Sequence, residues 1–230
     1  MLRLILSPEW FLGADIIIDF FSFLVLLTFA IISAKYYSLS KNKKLLYLGL
    51  SFFLVGLGEL SKIIMNIGLY YDFTIAYNVG RMIITSHVVE SIDAVYYIGF
   101  FLHRFLIMLG FYFLYYTTKK NKSKSEHLLV LYFIAISAIF TNDMQYLFNI
   151  TVTIFLVFIF VNYLKIYRKT RAENTKTLAT GFFLLLISYI VMSFSRIDSN
   201  IYITANLLQL ASYIVFLYII IKIYKHGKKK

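Results

Sequence analysis

The stretch 95–118, VYYIGFFLHRFLIMLGFYFLYYTT, is long enough to cross a bilayer as a helix, which takes about 20 apolar residues. It nevertheless places His103 and Arg104 about eight residues, or roughly 12 Å, inside one end. An ionised side chain at that depth costs about 2.5 to 3.5 kcal/mol on insertion scales, so it faces protein or water and has a partner. The rest of the chain is read for those partners.

Sixty per cent of the residues are hydrophobic and nineteen per cent aromatic, well beyond the roughly half that is apolar in soluble domains. The expected fold class is therefore all-α, a polytopic integral membrane bundle. With one Pro and ten Gly there is no linker-like stretch, so residues 1–230 read as a single transmembrane domain. Zero Cys excludes disulfides, thiolate metal sites and thiol catalysis.

Seven helices are predicted, at about 11–34, 45–66, 95–118, 128–142, 146–165, 177–196 and 201–223. Ser7-Pro8-Glu9-Trp10 reads as the start of the first, with Ser at the cap and Pro at the first helical position. The segment 67–94 is too polar for a span and too long for a tight turn. Its Asn78, Arg81 and Thr85 recur at helical spacing, which predicts an outer, interfacial amphipathic helix. The run from Leu128 to Leu164 would be roughly 55 Å long as one helix, so it must fold as a hairpin around 141–145.

The net charge of +12 has a topological reading. The basic segments Lys35 to Lys44, Lys119 to Lys124, Lys165 to Lys176 and the tail from Lys225 follow helices 1, 3, 5 and 7 and fall on one side. By the positive-inside rule that side is cytoplasmic, the N-terminus is outside, and the protein is a multi-pass protein of the cell membrane. The basic face can attract anionic lipids and dock a membrane or cytoplasmic protein partner; nucleic acid is not expected.

A shift of 132 residues lays Lys44, Leu46, Gly49, Leu54 and Ser61 on Lys176, Leu178, Gly181, Leu186 and Ser193. A shorter shift lays Leu109-Gly110-Phe111 on Ala211-Ser212-Tyr213. Together they suggest three helices, a linker helix and three more in the same orientation, a parallel repeat of the kind that encloses a central site in transporters. In this layout the chain resembles the small SWEET and PQ-loop carriers, although its only proline is Pro8 and the Pro-Gln pair is missing. It also resembles prokaryotic seven-helix sensor modules and microbial-rhodopsin-like proteins, without a mid-span retinal lysine, since Lys222 lies near the cytoplasmic end. The resemblance is one of topology and carries over no residue roles.

Given alternating helix directions, Asp19, Glu59, His103, Arg104, Asn206 and Gln209 share one level in the outer half of the bilayer, with Lys62 one turn from Glu59. Two acids and a guanidinium stranded separately cost more than a network in which Arg104 engages Asp19 or Glu59. Two readings follow: a buried structural brace, or a hydrated pocket that binds an ion or small polar ligand. No HxxxH or HExxH spacing supports a metal and no cofactor is expected. Without a phosphate-binding loop or a Ser-His-Asp arrangement an enzyme is not favoured. The expected function is a module that senses a small ligand from outside and signals to a partner; the alternatives are a small-solute or ion transporter and a structural subunit of a membrane complex.

Overall fold

The computed structural model describes residues 8–11, 13–78, 86–118, 124–140 and 145–227, and they are all-helical, with no strand among them. A short 3-10 turn, Glu9–Phe11, precedes α1 (Ala14–Ser40), α2 (Lys43–Asn78), α3 (Ser86–Thr118), α4 (Lys124–Phe140), α5 (Gln145–Thr170), α6 (Glu173–Met192) and α7 (Ser199–Gly227). Six of the helices, all but α4, contain a stretch long and apolar enough to cross a membrane, which makes this a multi-pass membrane protein in contact with lipid. Large apolar side chains such as Ile17, Leu24, Ile31, Phe158 and Ile214 are exposed, as lipid-facing positions of a membrane helix are.

Two antiparallel triplets, α1–α2–α3 and α5–α6–α7, pack through neighbouring helices, and the contacts α3–α5 and α7–α1 close them into a ring. α4 lies outside the ring against α3. The closing contacts are parallel. On α3, His103 faces Phe148 of α5 with ring centroids 5.7 Å apart. Fifteen residues on, Thr118 accepts a hydrogen bond from Asn162 Nδ2 at 2.9 Å, so both helices run the same way. α1 and α7 behave alike: Tyr202 donates to Asp15 at 3.3 Å, and Phe29 meets Phe216 at 6.2 Å.

The interior is aromatic where the triplets meet. Phe52 stacks on Phe29 at 4.3 Å and faces Phe182 at 6.5 Å, and Phe216 packs against Phe182 at 5.1 Å. These rings join α1, α2, α6 and α7 on the basic-end side of the bundle. Close helix approach depends on glycine: a Cβ on Gly110 would lie 2.9 Å from the Ser51 carbonyl and 2.6 Å from Val55 Cγ2, and one on Gly58 would meet Ile107 at 2.8 Å. Gly56, on the other side of α2, faces Leu26 of α1.

Several boundaries differ from expectation. Ser7 lies outside the described residues, and the Pro8 start yields only the 3-10 turn; Gly13, at φ 90°, interrupts the chain before α1 begins at Ala14. The segment 67–94 is not a separate interfacial helix. α2 continues through it to Asn78 and α3 begins at Ser86, while Arg81 and Thr85 lie outside the described residues. At 36 residues α2 is about 54 Å long, more than the hydrocarbon core needs, so apolarity marks the span and not the helix. The basic ends are helical too: α1 runs on to Ser40 and α5 to Thr170, whereas α6 stops at Met192.

Equivalent local structure recurs 130 residues apart, in place of the expected 132. Lys41 and Arg171 both adopt positive φ, 53° and 52°, and donate their N–H groups to Tyr37 and Tyr167, each at 2.7 Å. The sequence of buried, half-buried and exposed positions along 45–59 is reproduced along 175–189. Phe52-Phe53-Leu54 falls on Phe182-Phe183-Leu184 in this register. Burial, set by the neighbouring helices, follows 130 and not the 132 of the five identities.

Candidate functional site

Three polar stripes at helical spacing converge on the seam between α1, α2 and α7. α1 supplies Asp15, Asp19 and Ser22, α2 supplies Glu59 and Lys62, and α7 supplies Tyr202, Asn206, Gln209 and Tyr213. Asp15, Asp19, Ser22, Glu59 and Asn206 are fully buried.

The Lys62 ammonium lies 2.8 Å from Asp19 Oδ1 and forms the ion pair of the site. Lys62 also acts electrostatically on Glu59 and Tyr202. Glu59 is held by neutral donors: its Oε1 accepts from Gln209 Nε2 at 2.9 Å and from the Tyr213 hydroxyl at 3.0 Å. Asp15 sits at the start of α1, where its Oδ1 accepts from the N–H groups of Gly13 and Ile16 and its Oδ2 from Tyr202. That placement also suits the positive end of the helix dipole. Asn206 donates Nδ2 to the Tyr202 carbonyl at 2.9 Å, which fixes the amide so that Oδ1 faces away from that bond.

The site has apolar floors on both sides. Phe29 is ten residues beyond Asp19 and Phe52 seven before Glu59, so the aromatic core begins about 10 to 15 Å away toward the basic end. On the other side Phe11, Ile18, Met192, Tyr202 and Ala205 form a smaller cluster in which the turn before α1 packs over the ends of α6 and α7.

Of the residues expected to gather, the structure brings Asp19, Glu59, Lys62, Asn206 and Gln209 to this seam. His103 and Arg104 occupy another. The His103 ring N–H (Nδ1) donates to the Gly58 carbonyl at 2.9 Å and braces α3 against α2. The Arg104 guanidinium lies over the Phe100 ring, 3.7 Å from its centroid, and 5.8 Å from that of Phe148 on α5. Around the two acids the structure shows Lys62 on Asp19 and the Gln209 and Tyr213 bonds on Glu59. Lys62 bonds Asp19 across the helix pair and acts on its own-helix neighbour Glu59 through its field. The physical reason is rotation: shared depth does not fix the face from which a side chain leaves its helix.

Sequence reasoning missed Tyr202 and Tyr213, read only as parts of an apolar helix. Their spacing, four residues before Asn206 and four after Gln209, is the signal that marks them as one stripe. His127, half-buried near the start of α4, hydrogen-bonds Tyr112 and packs its ring 4.5 Å from that of Tyr116, tying α4 to α3. Among the described residues no three of His, Asp and Glu gather as a metal site would require.

Comparison with protein-family models, with curated proteins and with solved structures finds no match for this chain.

Proposed function

We propose that the protein is a small-solute or ion carrier of the cell membrane, built of seven spans as a parallel three-plus-one-plus-three repeat, with the N-terminus outside. The observation that carries this reading is the position of the buried charges: Asp19, Glu59 and Lys62 of the first triplet meet Gln209 and Tyr213 of the second at the seam between them. Charged groups sunk between related halves of a bundle are where transporters place substrate and coupling ions.

Supporting the seven spans, α3 and α5 are parallel, so the 17-residue α4 between them returns the chain across the bilayer. Its 17 residues reach about 25 Å, at the short end for a span, with Val130–Ile139 as its apolar stretch. The matched Lys41 and Arg171 caps support the repeat, as do two contacts in the third helix of each triplet. Gly110 approaches the Ser51 carbonyl, while Ser212 donates to the Gly181 carbonyl at 2.8 Å. The His103 backbone lies against Gly58, while Ser188 donates to the Ala205 carbonyl at 2.8 Å. Each pair is related by 130 residues on the second helix and 102 on the third. The layout is the one in which the chain resembles small carriers and seven-helix sensors alike.

Flux measurement in proteoliposomes tests the proposal. A carrier moves at least one member of a panel of small charged and polar solutes, and Glu59→Gln abolishes that flux. Saturable binding without flux rejects the carrier and makes the protein a sensor. Glu59→Gln and Lys62→Met that both fold and leave flux unaltered reduce the cluster to a structural brace.

A further inference from the structure

Resting on that reading of the site, we infer that its occupant is a small monovalent cation, an alkali metal ion or a primary ammonium group, bound against Glu59. The carboxylate charges divide unequally. Asp15 is served by two backbone N–H groups and a tyrosine hydroxyl at a helix start. Asp19 has the Lys62 ammonium. Glu59 is oriented by Gln209 and Tyr213, both neutral, and shares the field of the Lys62 ammonium with Asp19, which alone is bonded to it.

The atoms left over are all of one kind. Asp19 Oδ2, Glu59 Oε2 and Asn206 Oδ1 are buried acceptors with no hydrogen-bond partner among the described residues, one each from α1, α2 and α7. Such an atom in a dry interior is costly, and the cost is relieved by a donor or a cation. Asn66 Nδ2 and Asn149 Nδ2, buried donors in the same condition, lie two turns beyond Glu59 on α2 and on α5. With three carboxylates and one ammonium the seam offers oxygen ligands and keeps an excess of negative charge, which suits a cation and disfavours an anion, and among the described residues no three acids or His gather as a divalent ion would require. Oxygen-only ligation suits hard ions and N–H donors equally.

The test uses the full chain purified in detergent with choline chloride as the background salt, because choline offers neither an N–H donor nor a small ionic radius. Binding of 22Na+ and of radiolabelled methylammonium is measured by scintillation proximity, with K+ as competitor. Wild-type protein is expected to bind at least one of the three saturably, and Glu59→Gln to weaken that binding about tenfold or more. Asn206→Leu, which removes one acceptor without touching a charge, lowers affinity less and serves if Glu59→Gln fails to fold. Lys222→Gln, near the end of α7, leaves binding unchanged. Competition of Na+ with methylammonium decides between a metal ion and an ammonium solute. No saturable binding of any of the three by wild type, or equal affinity in Glu59→Gln and Asn206→Leu, overturns the inference. Binding without flux rejects the carrier reading alone; flux of a neutral solute unaffected by Glu59→Gln rejects the cation alone.

Discussion

Lys62 reaches from α2 to place its ammonium 2.8 Å from the Asp19 carboxylate of α1, with both side chains largely out of solvent, at 12% and 0% exposure. Breaking such a pair from one side leaves an uncompensated charge in low dielectric, at about 3 to 5 kcal/mol. Asp19→Asn and Lys62→Met are each expected to lower the melting temperature in mild detergent by more than about 5 °C. The double variant Asp19→Asn with Lys62→Met recovers most of that loss, because neither charge is then stranded. Melting curves of the three variants give the coupling directly. Additive losses would mean that the two side chains do not act on each other.

The surface offers the opposite case. Lys222 and Glu173 are 2.6 Å apart where α7 meets the start of α6, but Glu173 is 82% exposed. Solvent screens this pair and both long side chains lose freedom to hold it. Glu173→Gln is expected to leave the melting temperature and any flux unchanged within error, at low salt as at high salt. A loss comparable to that of Asp19→Asn would show that the α6–α7 end carries strain unseen in its exposure.

Gly110 sets the distance between α3 and α2. Its missing Cβ would sit 2.9 Å from the Ser51 carbonyl and 3.0 Å from the Val55 amide nitrogen, both backbone atoms that cannot turn aside. Gly110→Ala is therefore expected to destabilise the bundle by about 1 to 3 kcal/mol through overpacking. Gly68→Ala, where a Cβ meets nothing within 4 Å, is the control on an exposed helical position and should melt no lower than wild type does. Equal melting of Gly110→Ala and wild type would show that the two helices can separate freely.

What could be read from the sequence was what depends on one dimension. Apolar stretches mark the spans, and depth along each stretch puts Asp19, Glu59, Asn206 and Gln209 on one level, where the structure has them meeting through α1, α2 and α7. Rotation about each helix is a second dimension that hydropathy does not encode when most faces are apolar. For that reason depth alone does not predict that Arg104 lies over the Phe100 ring or that the ammonium of Lys62, one turn from Glu59, bonds to Asp19 across the helix pair. The turn register was equally hidden. Lys41 and Arg171 both take left-handed backbone at a helix end, a position that glycine usually occupies, so no composition signal announced it.

The orientation is open to a direct measurement because the chain contains no Cys, so a single introduced thiol is the only one labelled. Ser199 starts α7 and is exposed, and Lys41 and Arg171, also exposed, cap α1 and α5 at the opposite end. With the N-terminus outside and the basic ends in the cytoplasm, Ser199→Cys reacts with a membrane-impermeant maleimide on intact cells, whereas Lys41→Cys and Arg171→Cys react only after permeabilisation. Tyr146→Cys, at the exposed start of α5, tests α4 itself. If α4 crosses, Tyr146→Cys labels from outside together with Ser199→Cys, matching the parallel contacts of α3 and α5. Labelling of Tyr146→Cys only after permeabilisation would leave six spans and overturn the seven-span reading.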